Sequence, residues 1–303
     1  MIRKDLIVAD SDKLQRLDIY LSKKIKTLTR SKIQKLIDED KVLINGLPRK
    51  PSYRLRVGDK IDIRYEEHFP ENIYPVNLPL KIIYSDDQII LVDKPCGLVV
   101  HPIFGRQGEP TLVHGLLYHF PEIEKIGPPG RSGLVHRLDK DTSGVMVIAR
   151  TKKAYENLQE QFRMRQVKKA YICLVWGKVT KKEGKISWPI GRHIKDRTRM
   201  SIKTKKPRHA ETFFKVKQRY EEFTLLEIMP VTGRTHQIRV HLSSAGWPVV
   251  GDQRYGRIRI KKKFTRLFLH AHNISFLHPS FQVWRTFTSE IPDDFKSFLN
   301  QVQ

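Results

Sequence analysis

From Leu80 onward the chain is a string of short apolar runs, each of strand length and each bounded by turn signals. "LKIIYSDDQIILVDKP" reads as two strands around an Asp86–Asp87 turn, and "KAYICLVWGKV", "AETFFKVKQRY" and "EFTLLEIMPV" continue the pattern. Helical periodicity interrupts it near Ala154 to Arg165 and again in "THQIRVHLSSAG". Such a succession demands a β-rich domain with a few helices packed on it, an α+β fold.

The segment from Leu14 to Ile63 is organised differently. "RLDIYLSKKI" places Leu17, Tyr20 and Leu21 at helical spacing. "TLTRSKIQKLIDED" predicts a second helix, with Thr29 as its N-cap and Ile33, Leu36 and Ile37 on one face. Arg30, Lys32 and Lys35 fall off that apolar stripe and form a basic face suited to phosphates. "KVLING" is a strand ending in an Asn45–Gly46 turn, and "RVGDKIDIRY" carries a Gly58–Asp59 turn before a last strand. The stretch Glu66 to Pro79 is polar and proline-rich. The expected organisation is therefore a small module at 1–66, a linker at 67–79 and a larger domain at 80–303.

Charge narrows the partners. Lys and Arg number 57 against 32 Asp and Glu, a net charge of +25. A field of that sign attracts polyanions, and nucleic acid is the favoured partner. The stretch Arg192 to His209 holds eight Lys and Arg and one acid, so it is expected as a flexible basic loop or hairpin, with Arg192, Arg197 and Arg199 near phosphates. Lys261 to Lys263 reads as a solvated run. The two cysteines, Cys96 and Cys173, fit no metal spacing and point to a reducing compartment. No apolar run is long enough to span a membrane, and "MIRKDLIVAD" lacks the apolar core of a secretory signal, so a cytoplasmic protein is expected. His236 and His241 have helix spacing without a third ligand, so no metal site is expected, and His270 and His272 read as structural.

"HRLDKDTSG", His136 to Gly144, resists a packing explanation. Apolar runs flank it, Gly133-Leu134-Val135 before and Val145 to Ala149 after, and both look like buried strand. Asp139 is expected at the end of the first, with Arg137 just ahead. A carboxylate held there needs a cation to stay ionised, and "VTGRTHQIRVHL" offers Arg234 and Arg239. Tyr171, on another apolar run, offers a stacking face or a proton handle. From the residues alone, an active site and a structural ion pair both remain open.

"GLVHRLDKDTSGVMVIARTKKA" resembles the signature of the RluA/RluD-type pseudouridine synthases. "VDKPCGLVVHP", "KKAYICLVWG", "VTGRTHQIRVHL" and "LHAHNISFLHP" agree with the same family in the same order. Leu14 to Ile63 resembles the ribosomal-protein S-four-type (alpha-L) RNA-binding module, and "GLVVHP" is most like the RluD branch, which acts on large-subunit ribosomal RNA. The resemblance implies an α+β catalytic domain on a mixed, mainly antiparallel sheet with flanking helices. It implies isomerisation of uridine to pseudouridine. It makes Asp139 the catalytic aspartate, pairs Arg239 with it, and packs Tyr171 against the target base. His136, Arg137, Thr142 and Arg234 are then expected to hold the nucleotide, with Arg137 filling the gap that a flipped base leaves.

The chemistry suits one carboxylate. The glycosidic bond breaks, the uracil turns, and its fifth ring carbon bonds the same sugar, so neither a metal nor a redox cofactor is expected. Glycoside hydrolases need a carboxylate pair because they activate water. Two rivals use the same features. Asp139-Lys140-Asp141-Thr142 resembles the DxDxT signature of magnesium phosphatases, although His136 and Arg137 intrude on the strand before it and only Asp293–Asp294 offers a later acidic pair. A non-catalytic RNA-binding assembly factor accounts for the charge and the front module but leaves "HRLDKDTSG" unexplained.

Overall fold

The computed structural model describes residues 2–25, 28, 30–65, 73–102, 109–256 and 264–302. Thr29, 67–72 and Lys261–Lys263 lie outside these residues. The chain divides into two units, Met1–Asn72 and Ile73–Gln303.

The first unit runs β1 (Ile2–Ile7), α1 (Leu17–Lys24), α2 (Arg30–Asp38), β2 (Val42–Ile44), β3 (Leu47–Pro48) and β4 (Lys60–Tyr65). Its strands form an antiparallel sheet in the order β1-β4-β2-β3. Asn45 and Gly46 both take positive φ, 52° and 79°, which is the backbone of the tight turn expected between β2 and β3. The helical stripe of Leu17, Leu21, Ile33 and Leu36 buries itself with Val42, Ile44, Ile61 and Ile63. β1 has no clear strand signal in "IRKDLI", yet it pairs with β4 from Ile2↔Tyr65 to Ile7↔Lys60. It is an edge strand with largely exposed charges, so burial leaves little alternation to read.

The second unit carries β5 (Lys81–Ser85), β6 (Ile89–Lys94), α3 (Leu112–His119), β7 (Ser143–Ala149), α4 (Lys152–Arg163), β8 (Lys168–Trp176), β9 (Glu183–Ile186), β10 (Gly191–Arg192), β11 (Met200–Ser201), β12 (Thr212–Arg219), β13 (Phe223–Pro230), α5 (Gln237–Ser244), β14 (Leu269–Leu277), β15 (Trp284–Thr288) and α6 (Asp293–Gln301). Its large sheet runs β5-β6-β7-β14-β8-β13-β12-β9, with β15 also on β14. Among the described residues, only β7 and β14 pair in parallel, and only through His270↔Ser143 and Ala271↔Gly144. The sheet is thus mixed and mainly antiparallel. All seven residues of β7 are buried, as befits a central strand. Gly144 sits where β7 meets β14: its φ is +119°, and a Cβ there would lie 2.2 Å from the Ala271 carbonyl oxygen. That approach brings the loop ahead of β7 to the middle of the sheet.

Several expectations need correction. Gly133-Leu134-Val135 is not a strand. Leu134 makes a single bridge to Ile148, and Gly133, at φ +67°, turns the chain. Asp139 therefore sits in a loop before β7, not at a strand end. α3 escapes helical patterning because six of its eight residues are buried, leaving almost no polar face to mark a period. α6, which buries Phe295 and Leu299, is also absent from the sequence reading. Ile73 to Pro79 is not free linker. Val76 N donates to the His114 carbonyl at 3.1 Å, the Tyr74 and His114 rings lie 5.2 Å apart, and Leu78 packs where Gly115 has no side chain. Ile73, Tyr74, Val76 and Leu78 supply apolar anchors that the surrounding prolines and polar residues hide.

Candidate active site

The loop that carries Asp139 is built from below. Lys94, at the end of β6, is fully buried, and its ammonium donates to three backbone carbonyls: Pro95 at 2.8 Å, Leu98 at 2.9 Å and Lys140 at 2.8 Å. Burial pushes this lysine down to about 8, against the pull of nearby acidic groups. Gly97 N also donates to the Lys140 carbonyl, at 3.0 Å, and Thr142 N to the Asp139 carbonyl, at 3.2 Å. The loop is thereby held on both sides of Asp139.

The Asp139 side chain opens into a cavity of about 120 Å³, which Arg137, Thr142, Lys169, Tyr171, Arg234 and Arg239 help to line. That is well below the roughly 300–1,000 Å³ of pockets for drug-sized ligands, and suits one small planar group. Arg239, on α5, donates from Nη1 to Asp139 Oδ2 at 3.2 Å. Its firmer partner is Asp252, to which Nε donates at 2.8 Å and Nη2 at 2.9 Å. The Arg239 side chain is 6% exposed and that of Asp252 0%, whereas Asp139 keeps 20%. Asp252 also accepts from the backbone of Arg254 and Tyr255, both at 2.9 Å. Burial opposes ionisation of this pair, but the mutual hydrogen bonds and charge overrule it, lowering Asp252 and raising Arg239. Tyr255 packs its ring 5.2 Å from the Arg239 guanidinium and shares a 2.8 Å hydrogen bond with His236 Nδ1. His236 lines the cavity from a left-handed backbone, φ 55°, with Nε2 4.0 Å from Asp139 Oδ1.

Tyr171 stands on β8 and faces the cavity, packed against the cores on both of its sides. Burial and the Asp139 charge push its phenol above its ordinary range, so it offers a ring face at neutral pH rather than a phenolate. Arg137 points out at the rim, where its Nη1 donates to His101 Nε2 at 2.7 Å. Arg234 is tied by Nε to the His209 carbonyl at 2.9 Å, and the loop before α5 is braced by the buried Gln237.

The structure gathers Asp139, Tyr171, Arg239, Arg137, Thr142 and Arg234 around one cavity. His136 does not join them. Its Nε2 accepts from Val147 N at 3.0 Å and its ring stacks on Phe162 at 4.8 Å, so it braces β7 against α4. Burial lowers it to about 3 and keeps it neutral. Asp252, Lys94 and Lys169 belong to the site but are not singled out by the sequence: the first follows a glycine turn, and the others lie inside "VDKPCGLVVHP" and "KKAYICLVWG", in Asp-Lys and Lys-rich contexts that read as solvated charge. Gly251 is the only clue to Asp252, since a Cβ there would lie 1.8 Å from the Arg266 carbonyl oxygen at φ +77°.

The basic hairpin is less free than its composition suggests. β10 and β11 pair, Met200 N donates to the Tyr255 hydroxyl at 2.9 Å, and the Arg199 guanidinium lies 5.2 Å from the Tyr255 ring. Arg192 donates to the Arg197 carbonyl at 2.7 Å, and Arg197 itself is exposed. In the first unit, Arg30 is not a free phosphate ligand. Asp18 is 0% exposed there, and Arg30 donates to it at 2.8 and 3.0 Å beside Arg16 and Gln34. Burial would raise Asp18, but those hydrogen bonds hold it well below the carboxylate range. Lys35 pairs with Glu39 at 3.4 Å.

Residues 88–244 match the model of the RNA pseudouridylate synthase family, and residues 15–61 that of the S4 domain. The chain belongs to the RNA pseudouridine synthase family. It is an isomerase family acting on uridine in RNA, and neither a phosphatase nor a non-catalytic binding protein accounts for the match. The chain is 44% identical over 299 residues to an uncharacterised RNA pseudouridine synthase of Aquifex aeolicus, covering 95% of this chain and 94% of the relative. It is 38% identical to the ribosomal large subunit pseudouridine synthase D of Blochmanniella floridana, covering 99% and 98%. It is 37% identical to the ribosomal large subunit pseudouridine synthase C of Buchnera aphidicola, covering 94% and 93%. Among solved structures, human RNA pseudouridylate synthase domain containing 1 is similar with a TM-score of 0.59 and 29% identity, over 71% of this chain and 84% of that one. Asp294, of the acidic pair that the phosphatase reading would use, is engaged by Arg266. No helix among the described residues is long and apolar enough to cross a membrane.

Proposed function

We propose that this pseudouridine synthase modifies uridines of large-subunit ribosomal RNA in the cytoplasm, with Asp139 as its reacting carboxylate. The observation that carries the assignment to Asp139 is its division of labour with Asp252. One carboxylate is buried and spends itself on Arg239, while the other receives a single hydrogen bond from the same guanidinium and opens into the cavity. A target uridine leaves its stack, at a few kcal/mol, and enters that cavity. Tyr171 supplies a face for the uracil, and Arg239 aims Asp139. Asp139 acts on the sugar or the ring while the glycosidic bond breaks. The narrow cavity keeps the detached uracil beside its own sugar, where water would otherwise intervene. Arg137 and Arg234 at the rim are placed for the flanking nucleotides, and Thr142 for the wall. Ribosomal RNA as substrate draws on the names of the synthase C and synthase D relatives and on the net charge of +25. Both cysteines are free, in keeping with a reducing compartment.

The test is Asp139→Asn on ribosomal RNA transcripts with tritium at the fifth ring carbon of uridine. Tritium release should vanish while RNA affinity stays within a few-fold. Release near the wild-type rate would remove Asp139 from the chemistry. Pseudouridine mapping with and without the gene identifies the target; unchanged large-subunit RNA would redirect the substrate assignment.

A further inference from the structure

Lys169 is the one cation lining the cavity for which the described residues show no role. It stands on β8 two residues before Tyr171, so both side chains project from the same face of the strand into the same cavity. It is half-buried, and burial pushes its ammonium down to about 8. No hydrogen bond or ion pair reaches that ammonium from any described residue. The other cations of the cavity are all engaged: Arg137 by His101, Arg234 by the His209 carbonyl, Arg239 by Asp252 and Asp139. An ammonium withdrawn from water without a counter-charge destabilises the fold. The cavity's own acid, Asp139, is already paired with Arg239, so the Lys169 ammonium is left available to a negative charge that arrives with the substrate.

The chemistry supplies such a charge. When the glycosidic bond breaks, its electron pair leaves on the ring, and the detached uracil carries a negative charge spread over its first nitrogen and its two carbonyl oxygens. The fifth carbon then bonds the sugar carbon, its proton departs to solvent, and a proton returns to the ring nitrogen, so the net change is zero. Phosphates carry full charge in the ground state, and the exposed Arg137 stands at the rim for them. Lys169 stands further in, beside the ring-stacking tyrosine. We propose, resting on the function assigned above, that the Lys169 ammonium touches a carbonyl oxygen of the flipped uracil and stabilises the anionic ring between bond breaking and bond making. This is oxyanion stabilisation by a fixed donor in a small cavity that the bound ring fills.

The surroundings make the idea testable by pH. From β8, Tyr171 faces the cavity with its phenol pushed up; from the loop before β7, Asp139 and Arg137 do, with His136 held neutral behind them. From the loop before α5 and from α5 itself come Arg234, His236 and Arg239, the imidazole lowered by burial. Lys94 beneath the Asp139 loop is the other group pushed to about 8. A rate that requires protonated Lys169 falls as pH rises through about 8, and an arginine at the same place abolishes that fall because guanidinium stays charged.

The experiment measures single-turnover rate on saturating RNA against pH for wild type, Lys169→Arg and Lys169→Met, full-length, alongside Asp139→Asn. The expected result is an alkaline limb near pH 8 in wild type, its loss in Lys169→Arg, and a rate about a hundredfold lower in Lys169→Met at neutral pH, with RNA affinity within a few-fold. Lys169→Met should also melt at least as high as wild type, since an unpaired, half-buried charge is gone, which shows that the slow variant is folded. An alkaline limb unmoved in Lys169→Arg assigns the titration to Lys94 or the RNA and overturns the proposal. So does a Lys169→Met enzyme with wild-type rate, or one that loses affinity but not rate. If Asp139→Asn retains activity, the functional assignment itself fails; if Asp139→Asn is dead and Lys169→Met is not, only this inference does.

Discussion

Replacing each of the two carboxylates beside Arg239 by asparagine should separate holding from reacting. Asp252 is 0% exposed, Arg239 6%, and two hydrogen bonds of 2.8 and 2.9 Å join them. Removing one partner of such a pair costs about 3–5 kcal/mol, because the survivor is left buried and uncompensated. In Asp252→Asn the amide oxygen still receives the backbone of Arg254 and Tyr255, which both fall on Oδ1. The loss is then one charge and one bond to Arg239, so the lower end, about 3 kcal/mol, is expected. Asp139→Asn removes a single 3.2 Å bond from a carboxylate that is 20% exposed, and leaves Arg239 on Asp252. Water in the cavity replaces that bond, so the cost should be about 1 kcal/mol or less. Activity should run the other way in part. Asp139→Asn is folded and inactive. Asp252→Asn is less stable and slow, because Arg239, released on one side, turns fully onto Asp139 and no longer fixes its direction. The assay is urea unfolding followed by tryptophan fluorescence, together with single-turnover rates. All four tryptophans lie in Ile73–Gln303, so the signal reports the catalytic unit alone. Equal midpoints for the two variants, or Asp139→Asn as the less stable, would refute the division of labour.

A fragment of 73–303 should fold with the wild-type melting temperature, whereas 80–303 should melt lower because Val76 and Leu78 no longer cover His114 and Gly115; equal melting would show that 73–79 is linker after all. Against salt, 73–303 should bind RNA with a shallower slope than the full chain, by somewhat under one for each phosphate that the S4 domain no longer neutralises, and an unchanged slope would exclude that domain from binding. His136 is neutral when folded and lowered to about 3, so between about pH 6.5 and that value the unfolded chain binds the extra proton and stability falls as pH falls. His136→Gln should shrink the stability difference between about pH 7.5 and 5.5 by about 1 kcal/mol and leave RNA affinity within a few-fold; weakened RNA binding with an unchanged pH dependence would return His136 to the substrate. Arg30→Met should lower the melting point of the first unit because Asp18 is buried beneath it, and reduced RNA affinity with unchanged melting would restore a direct phosphate contact.

What the sequence reveals follows from how local each cause is. Turns and strands that bury one face are written in neighbouring residues, so Asn45–Gly46, β8, β12 and β13 are legible from spacing alone. α3 is not, because burial on nearly every side erases the period that would mark it. Gly133-Leu134-Val135 misleads for the opposite reason: Gly133 and Leu134 are buried like a strand, but by the turn that Gly133 makes against Ala149, whose carbonyl oxygen would lie 2.6 Å from a Cβ. The loop that carries Asp139 is visible as an unexplained run of charge, and the motifs around it point to Tyr171 and Arg239 without stating any distance.

The residues that make the loop work are hidden because their meaning is tertiary. Lys94 serves Lys140, forty-six positions away, and Asp252 serves Arg239, thirteen positions and one glycine turn away. Neither contact leaves a period or a spacing. Charge type does not reveal them either: Lys94 is fully buried with three carbonyls around its ammonium, and Lys169 is half-buried with none from the described residues. Three carbonyls satisfy Lys94, so its charge holds a loop. None of the described residues satisfies Lys169, so its charge is left for whatever enters the cavity. The same logic separates the carboxylates. Asp252 is saturated by a guanidinium and two backbone amides, and is inert for that reason. Asp139 is left with one long bond and an open side. On the reading proposed here, reactivity resides in the groups whose hydrogen bonding is incomplete, and the fully satisfied ones decide where those groups stand.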